Sequence, residues 1–246
     1  MKTQKVSLTF LILLAGLFFA FSGCKKSTDP ATKSSVLTVK ATSFKSGTNL
    51  APIPVTGGML NIATSLVNIG NLKIEENSGN DGEQTGENGN EGGGSESDNP
   101  DVFLAGPFSL DISSGLASIG QVSVYPGTFK KVNFSFQTSS VVGFEGNSIV
   151  ITGQYNTTAG PIIPFTIKSV YSQQIQSLLA NGGVTVASNS SVDISIVFDL
   201  TAWLINLDFA NAQVSNGSIL INSGSNVNLL TAFETNLSAN IDTECK

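Results

Sequence analysis

Ser191-Val192-Asp193-Ile194-Ser195-Ile196-Val197-Phe198 is the stretch whose reading decides the fold. Val192, Ile194, Ile196 and Phe198 fall on every second position, and period two with β-branched and aromatic residues is the signature of a strand with one buried face. The same alternation recurs outward in both directions: Val36, Leu37 and Val39; Leu72 and Ile74; Val122 and Val124; Val132, Phe134 and Phe136; Ile149 and Ile151; Ile163, Phe165 and Ile167. Clusters of Ser, Asn, Gly and Thr, such as Asn156 to Pro161 and Ser188 to Ser191, supply the turns between them.

Many short strands with an apolar face and a Ser/Thr/Asn face predict an all-β fold, an antiparallel β-sandwich. A parallel α/β fold needs helices between strands, and helical signals are confined to two places. Tyr171 to Ala180 is ambiguous. Asn226 to Ile241 is clearer: Val227, Leu230, Phe233, Leu237 and Ile241 recur at three- and four-residue spacing behind Asn226 as N-cap. A short C-terminal helix is therefore expected to pack on the sandwich or close one end.

One segment breaks the pattern. Asn77 to Asp101 holds no aliphatic, aromatic or sulfur-bearing residue in twenty-five positions, so it has no apolar surface to repay the entropy of ordering. It reads as a disordered acidic insert in one strand-to-strand loop. Asp81, Glu83, Glu87, Glu91, Glu96 and Asp98 suggest calcium, but the irregular glycine spacing does not match an EF-hand loop, and a solvated linker is the better reading.

Composition closes off whole classes of chemistry. All 12 positive charges are lysines, there is no histidine, 18 acids give a net charge of -6, and only 12% of residues are charged. Without His there is no Ser-His-Asp triad, no Cys-His pair and no imidazole acid/base step. Without Arg, and with a pI near 4.6, nucleic acid is not an expected partner. From residue 24 onward ten Lys face eighteen acids, nine of which lie in Glu75 to Asp101, so the remainder is nearly neutral.

The N-terminus reads as an address. Met1 to Lys5 carries two lysines, and Leu8 to Phe21 is an apolar run of fourteen residues, too short for a spanning helix and suited to an export signal. Phe21-Ser22-Gly23-Cys24 resembles the lipobox of bacterial lipoproteins, with Phe21 where that family usually has Leu. The resemblance implies cleavage between Gly23 and Cys24, diacylglyceryl transfer to the Cys24 thiol and acylation of its freed amine. It implies a membrane partner through lipidated Cys24 and, with Lys25 rather than Asp following, an outer-membrane location. Two or more acyl chains suffice for lasting attachment. The alternative is ordinary cleavage after Ser22. Residues 1–23 are then the signal peptide, 24–35 a polar tether, and 36–246 a single β-sandwich domain containing the insert 77–101. Cys245, the other cysteine, reads as an exposed tail thiol or an intermolecular partner.

Few side chains suggest a site. Paired carboxylates hydrolyse glycosidic bonds without histidine, and the candidates are Asp111, Glu145, Asp193, Asp199 and Asp208. No motif joins any two, and acids at strand ends more often bond to turn backbone. Trp203 reads as a sugar-stacking platform or, given Leu204 and Ile205, as core packing. Tyr125, Tyr155 and Tyr171 are scattered. No catalytic residue, metal or cofactor is assigned.

Two further stretches resemble a β-sandwich-like domain of unknown function found in exported bacterial lipoproteins. They are Gly106-Pro107-Phe108-Ser109-Leu110-Asp111 with Tyr125-Pro126-Gly127-Thr128-Phe129-Lys130-Lys131-Val132, and Phe198-Asp199-Leu200 with Trp203-Leu204 before a Gly-rich hairpin and the terminal helix. The family brings no catalytic residues. Pro126 and Gly127 suit a tight turn, the glycine tolerating positive φ. The expectation is a lipid-anchored envelope protein serving as a structural or ligand-binding and adhesion module, for an envelope glycan or protein. The second expectation is a carboxylate-dependent glycan hydrolase.

Overall fold

The computed structural model describes residues 35–43, 51–76, 101–113 and 115–245. The signal 1–23, Cys24, most of the tether and insert positions 77–100 lie outside them. Among the described residues the strands are β1 (Ser35–Thr42), β2 (Ile53–Val55), β3 (Gly58–Ile69), β4 (Leu72–Glu76), β5 (Val102–Leu104), β6 (Phe108–Asp111), β7 (Ala117–Val124) and β8 (Gly127–Ser135). They continue as β9 (Ile149–Thr157), β10 (Ile162–Ser169), β11 (Gln174–Leu178), β12 (Val184–Val186), β13 (Ser191–Phe198), β14 (Val214–Ser215), β15 (Ser218–Ile221) and β16 (Ile241–Cys245). Two α-helices, α1 (Leu200–Leu204) and α2 (Val227–Ala239), complete an all-β sandwich with a C-terminal helix. No helix among the described residues is long and apolar enough to cross a membrane.

The first sheet has the order β16-β13-β1-β7, the second β14-β15-β10-β9-β3-β2 with β6 also on β3, and the third β11-β8-β4-β5 with β12 also on β8. Pairing is antiparallel except for β1 with β13 and β10 with β15. The parallel neighbour changes the reading of β13. Ile194, Ser195, Ile196, Val197 and Phe198 are all buried, so its C-terminal half is covered on both faces, as parallel strands generally are. The β14–β15 hairpin turns on Asn216 (φ 50°) and Gly217 (φ 74°), the Asn-Gly pair that a type I′ turn requires.

Aromatic rings tie the layers together. Phe198 at the end of β13 meets Phe134 of β8 at 5.9 Å between centroids and Trp203 of α1 at 5.8 Å. Trp203 also meets Phe136 at 6.5 Å and Phe233 of α2 at 6.2 Å, both edge to face. Each such pair contributes about 0.5–1.5 kcal/mol beyond area burial. A second group, Tyr155, Phe165 and Phe209, packs against the second sheet at 5.2–5.3 Å.

Several sequence expectations are refined. Ser35, assigned to the tether, opens β1 and is buried, its hydroxyl donating to the Ala187 carbonyl at 2.6 Å. The ambiguous Tyr171 to Ala180 holds β11, because Ile175 and Ser177 alternate inward beside β8. Helix α2 stops at Ala239, and Ile241 instead begins β16, which pairs with β13. Asn226 stands at the N-cap position but does not cap with its side chain: it sits at φ 53° and starts the helix with its backbone carbonyl. Gly127 has no positive φ; it opens β8, and Tyr125-Pro126 carries the chain from the first sheet into the third instead of reversing it within one.

Candidate functional site

The outer face of the third sheet is the strongest candidate. Leu72 and Ile74 of β4 turn inward, which sends Lys73 and Glu75 outward. On β8 the inward Val132 and Phe134 leave Lys131, Asn133 and Ser135 on the other side, and on β11 the buried Ile175 and Ser177 leave Gln174 and Gln176. The register then lines up Gln176, Asn133, Lys73 and Phe103 in one row across β11, β8, β4 and β5. Neighbouring strands lie about 4.7–4.9 Å apart, so the row spans about 14 Å.

This row floors a groove of about 740 Å³ whose walls include Asn71, Glu75, Ser135 and Gln174. That lies within the size range of small-ligand sites, roughly 300–1,000 Å³. Phe103, 58% exposed, stands at its edge as a bare apolar ring. Lys73 donates to Asp101 at 2.9 Å and to Glu75 at 3.0 Å. Those bonds, Asp101 foremost, hold its ammonium above the usual lysine range. Glu75 in turn stands opposite Lys131 in the ladder, so the charges of the groove are balanced internally.

Asn133 stands at the centre of the row. It is only 9% exposed, but its amide is not among the buried side-chain atoms left without a partner, which in the described residues belong to Ser43, Ser65 and Asn156. An amide lining an open groove offers two donors and an acceptor to whatever enters it. The other cavities differ: in one of about 390 Å³, Ser109 donates to Asn68 Oδ1 at 2.6 Å. In another of about 280 Å³, the Asp208 carboxylate accepts from Asn211 at 2.8 Å.

The five candidate acids are dispersed and locally engaged. Asp111 accepts from the backbone and hydroxyl of Ser113 at 3.0 and 2.6 Å, and Glu145 from the Gly143 amide at 2.9 Å. Asp199 caps α1 by accepting from the Ala202 amide at 2.9 Å. Asp193 pairs with Lys40, which holds its carboxyl below the usual aspartate range. None of the three cavities contains two of these acids. Trp203 is fully buried, its indole N–H donating to the Asn240 carbonyl at 3.0 Å, so it packs the core and offers no stacking platform. Tyr155 and Tyr171 are buried, which raises both phenols above the ordinary range. Cys245 ends β16, opposite Ile194 in the ladder.

Reading the sequence did not single out Asn133 or Phe103. The alternation of Val132, Phe134 and Phe136 places Asn133 on the opposite face, but only the register brings Lys73, Phe103 and Gln176 beside it. Among the described residues no group of three or more Asp, Glu or Cys is placed to hold a metal ion. No protein-family model, curated protein or solved structure matches the chain.

Proposed function

We propose that this chain is a lipid-anchored cell-envelope protein that presents a ligand-binding β-sandwich, with the outer face of the third sheet as its binding face. The observation that carries the binding reading is the row of Gln176, Asn133, Lys73 and Phe103 along an open groove of about 740 Å³. The address rests on the fourteen-residue apolar run and the Phe21-Ser22-Gly23-Cys24 lipobox, with Cys24 as the lipidated residue. An outer-membrane position follows from Lys25 after the cysteine, by resemblance to that lipoprotein family.

The test of the anchor is intact mass and membrane partitioning of the full chain in a Gram-negative host, beside Cys24→Ser. The reading expects the wild type to carry the added lipid mass and to sediment with outer membranes, and the variant to be released. Cleavage after Ser22 with both proteins in the soluble fraction overturns the anchor.

A further inference from the structure

We infer that the groove on the third sheet binds an uncharged glycan lying across β11, β8, β4 and β5. This rests on the groove being the binding face and is independent of the anchor.

Three observations select the ligand class. First, recognition atoms come from side-chain amides and a hydroxyl: Asn133, Gln174, Gln176 and Ser135. An amide offers donor and acceptor side by side, matching sugar hydroxyls, which also do both. Second, the charges are spent. Lys73 is held between Glu75 and Asp101, and Glu75 stands opposite Lys131, so an anionic ligand meets two carboxylates around the central cation. A cationic ligand must compete with Lys73 for the same two oxygens. Third, Phe103 presents an exposed ring in line with the amide row, an apolar platform for the C–H face of a sugar ring. A peptide added by strand pairing needs free backbone at a sheet edge, whereas the floor residues of β8 and β4 lie inside the sheet with both neighbours paired.

The experiment is calorimetric titration of the full chain in detergent with cellotetraose, mannotetraose and chitotetraose. Tetragalacturonate serves as the anionic probe and tetra-alanine as the peptide probe. The expected result is saturable binding of at least one uncharged tetrasaccharide, weakened at least about tenfold by Asn133→Ala, a loss on the scale of one hydrogen bond to the ligand. Phe103→Ala weakens it similarly, and Gln154→Ala, on the second sheet, leaves it unchanged. Phe103 and Gln176 are exposed, so Phe103→Ala and Gln176→Ala decide the matter if Asn133→Ala loses its fold by circular dichroism. The proposal is overturned if no uncharged tetrasaccharide binds at millimolar concentration, or if binding ignores these substitutions. Tetragalacturonate or tetra-alanine binding sensitive to Asn133→Ala, with no sugar bound, keeps the binding face and removes the glycan. Cys24→Ser shows the same curves whether or not the anchor reading holds.

Discussion

Trp203 and Asn133 are both buried, and both carry N–H groups, but the molecule treats them oppositely. The Trp203 indole is sealed under α2, ringed by Phe136, Phe198 and Phe233, with its one donor answered by Asn240. The Asn133 amide lines an open groove, beside Lys73, Gln174 and Gln176. The strand bearing Asn133 packs its other face tightly through Val132 and Phe134, so the difference is not loose folding. One end of the sandwich is finished by the chain itself, and one face is left to be completed from outside.

That contrast is most easily broken at the sealed end. Trp203→Ala is expected to cost about 3–5 kcal/mol, the range for deleting a large buried aromatic, read as a lowered urea midpoint. A loss below 1 kcal/mol would show that α2 does not depend on the indole. Next is Asn226, whose side chain accepts from Gln213 at 2.7 Å and donates to Gln213 and Leu220 at 3.1 and 2.8 Å, while its backbone sits at φ 53°. Asn226→Ala loses these bonds and strains the backbone, and about 1–3 kcal/mol is expected from the same denaturation curves.

At the open face the expected stability effect is small. Asn133→Ala changes unfolding free energy by less than about 1 kcal/mol, because the amide lines an open groove and its loss leaves no cavity in the core. Ser65 is the internal control: its hydroxyl is buried and unpartnered, but it faces the second sheet's core and lines none of the three cavities. Ser65→Ala should be neutral or stabilising by up to about 1 kcal/mol, with sugar titrations unaltered. If Asn133→Ala and Ser65→Ala behave alike in every assay, the groove floor plays no part in binding.

The smallest effect concerns the exposed Lys40–Asp193 pair. Because Asp193 is held below the usual aspartate range, its contribution is present above the unfolded value of about 3.9 and lost as pH falls through the folded one. Asp193→Asn should lower stability at pH 6 by no more than about 1 kcal/mol, with the two proteins converging in acid.

How much of this was legible follows from the range of each signal. Alternation is local, so Ile194, Ile196, Val132 and Phe134 announce their strands directly. Asn216-Gly217 and the Trp203 neighbourhood are local too. The parallel pairing of β1 with β13 was not legible, since both strands alternate like half-buried antiparallel ones and only the fold shows Val197 covered. Nor was the groove, for Lys73, Phe103, Asn133 and Gln176 acquire meaning as a row only through registers linking distant strands.

The placement of β1 also carries a kinetic consequence. It lies between β7 and β13, and Lys40 meets an Asp193 that stands 153 positions later. At about 5–20 residues per second, synthesis leaves Val36 to Thr42 without its parallel neighbour for about 8–30 s. Contacts of such sequence separation make folding slow, because loop closure precedes any reward. The first sheet is therefore completed as nearly the last act of the chain, and until then the edge of β1 that will face β13 stays open to intermolecular pairing, whatever β7 does on its other side.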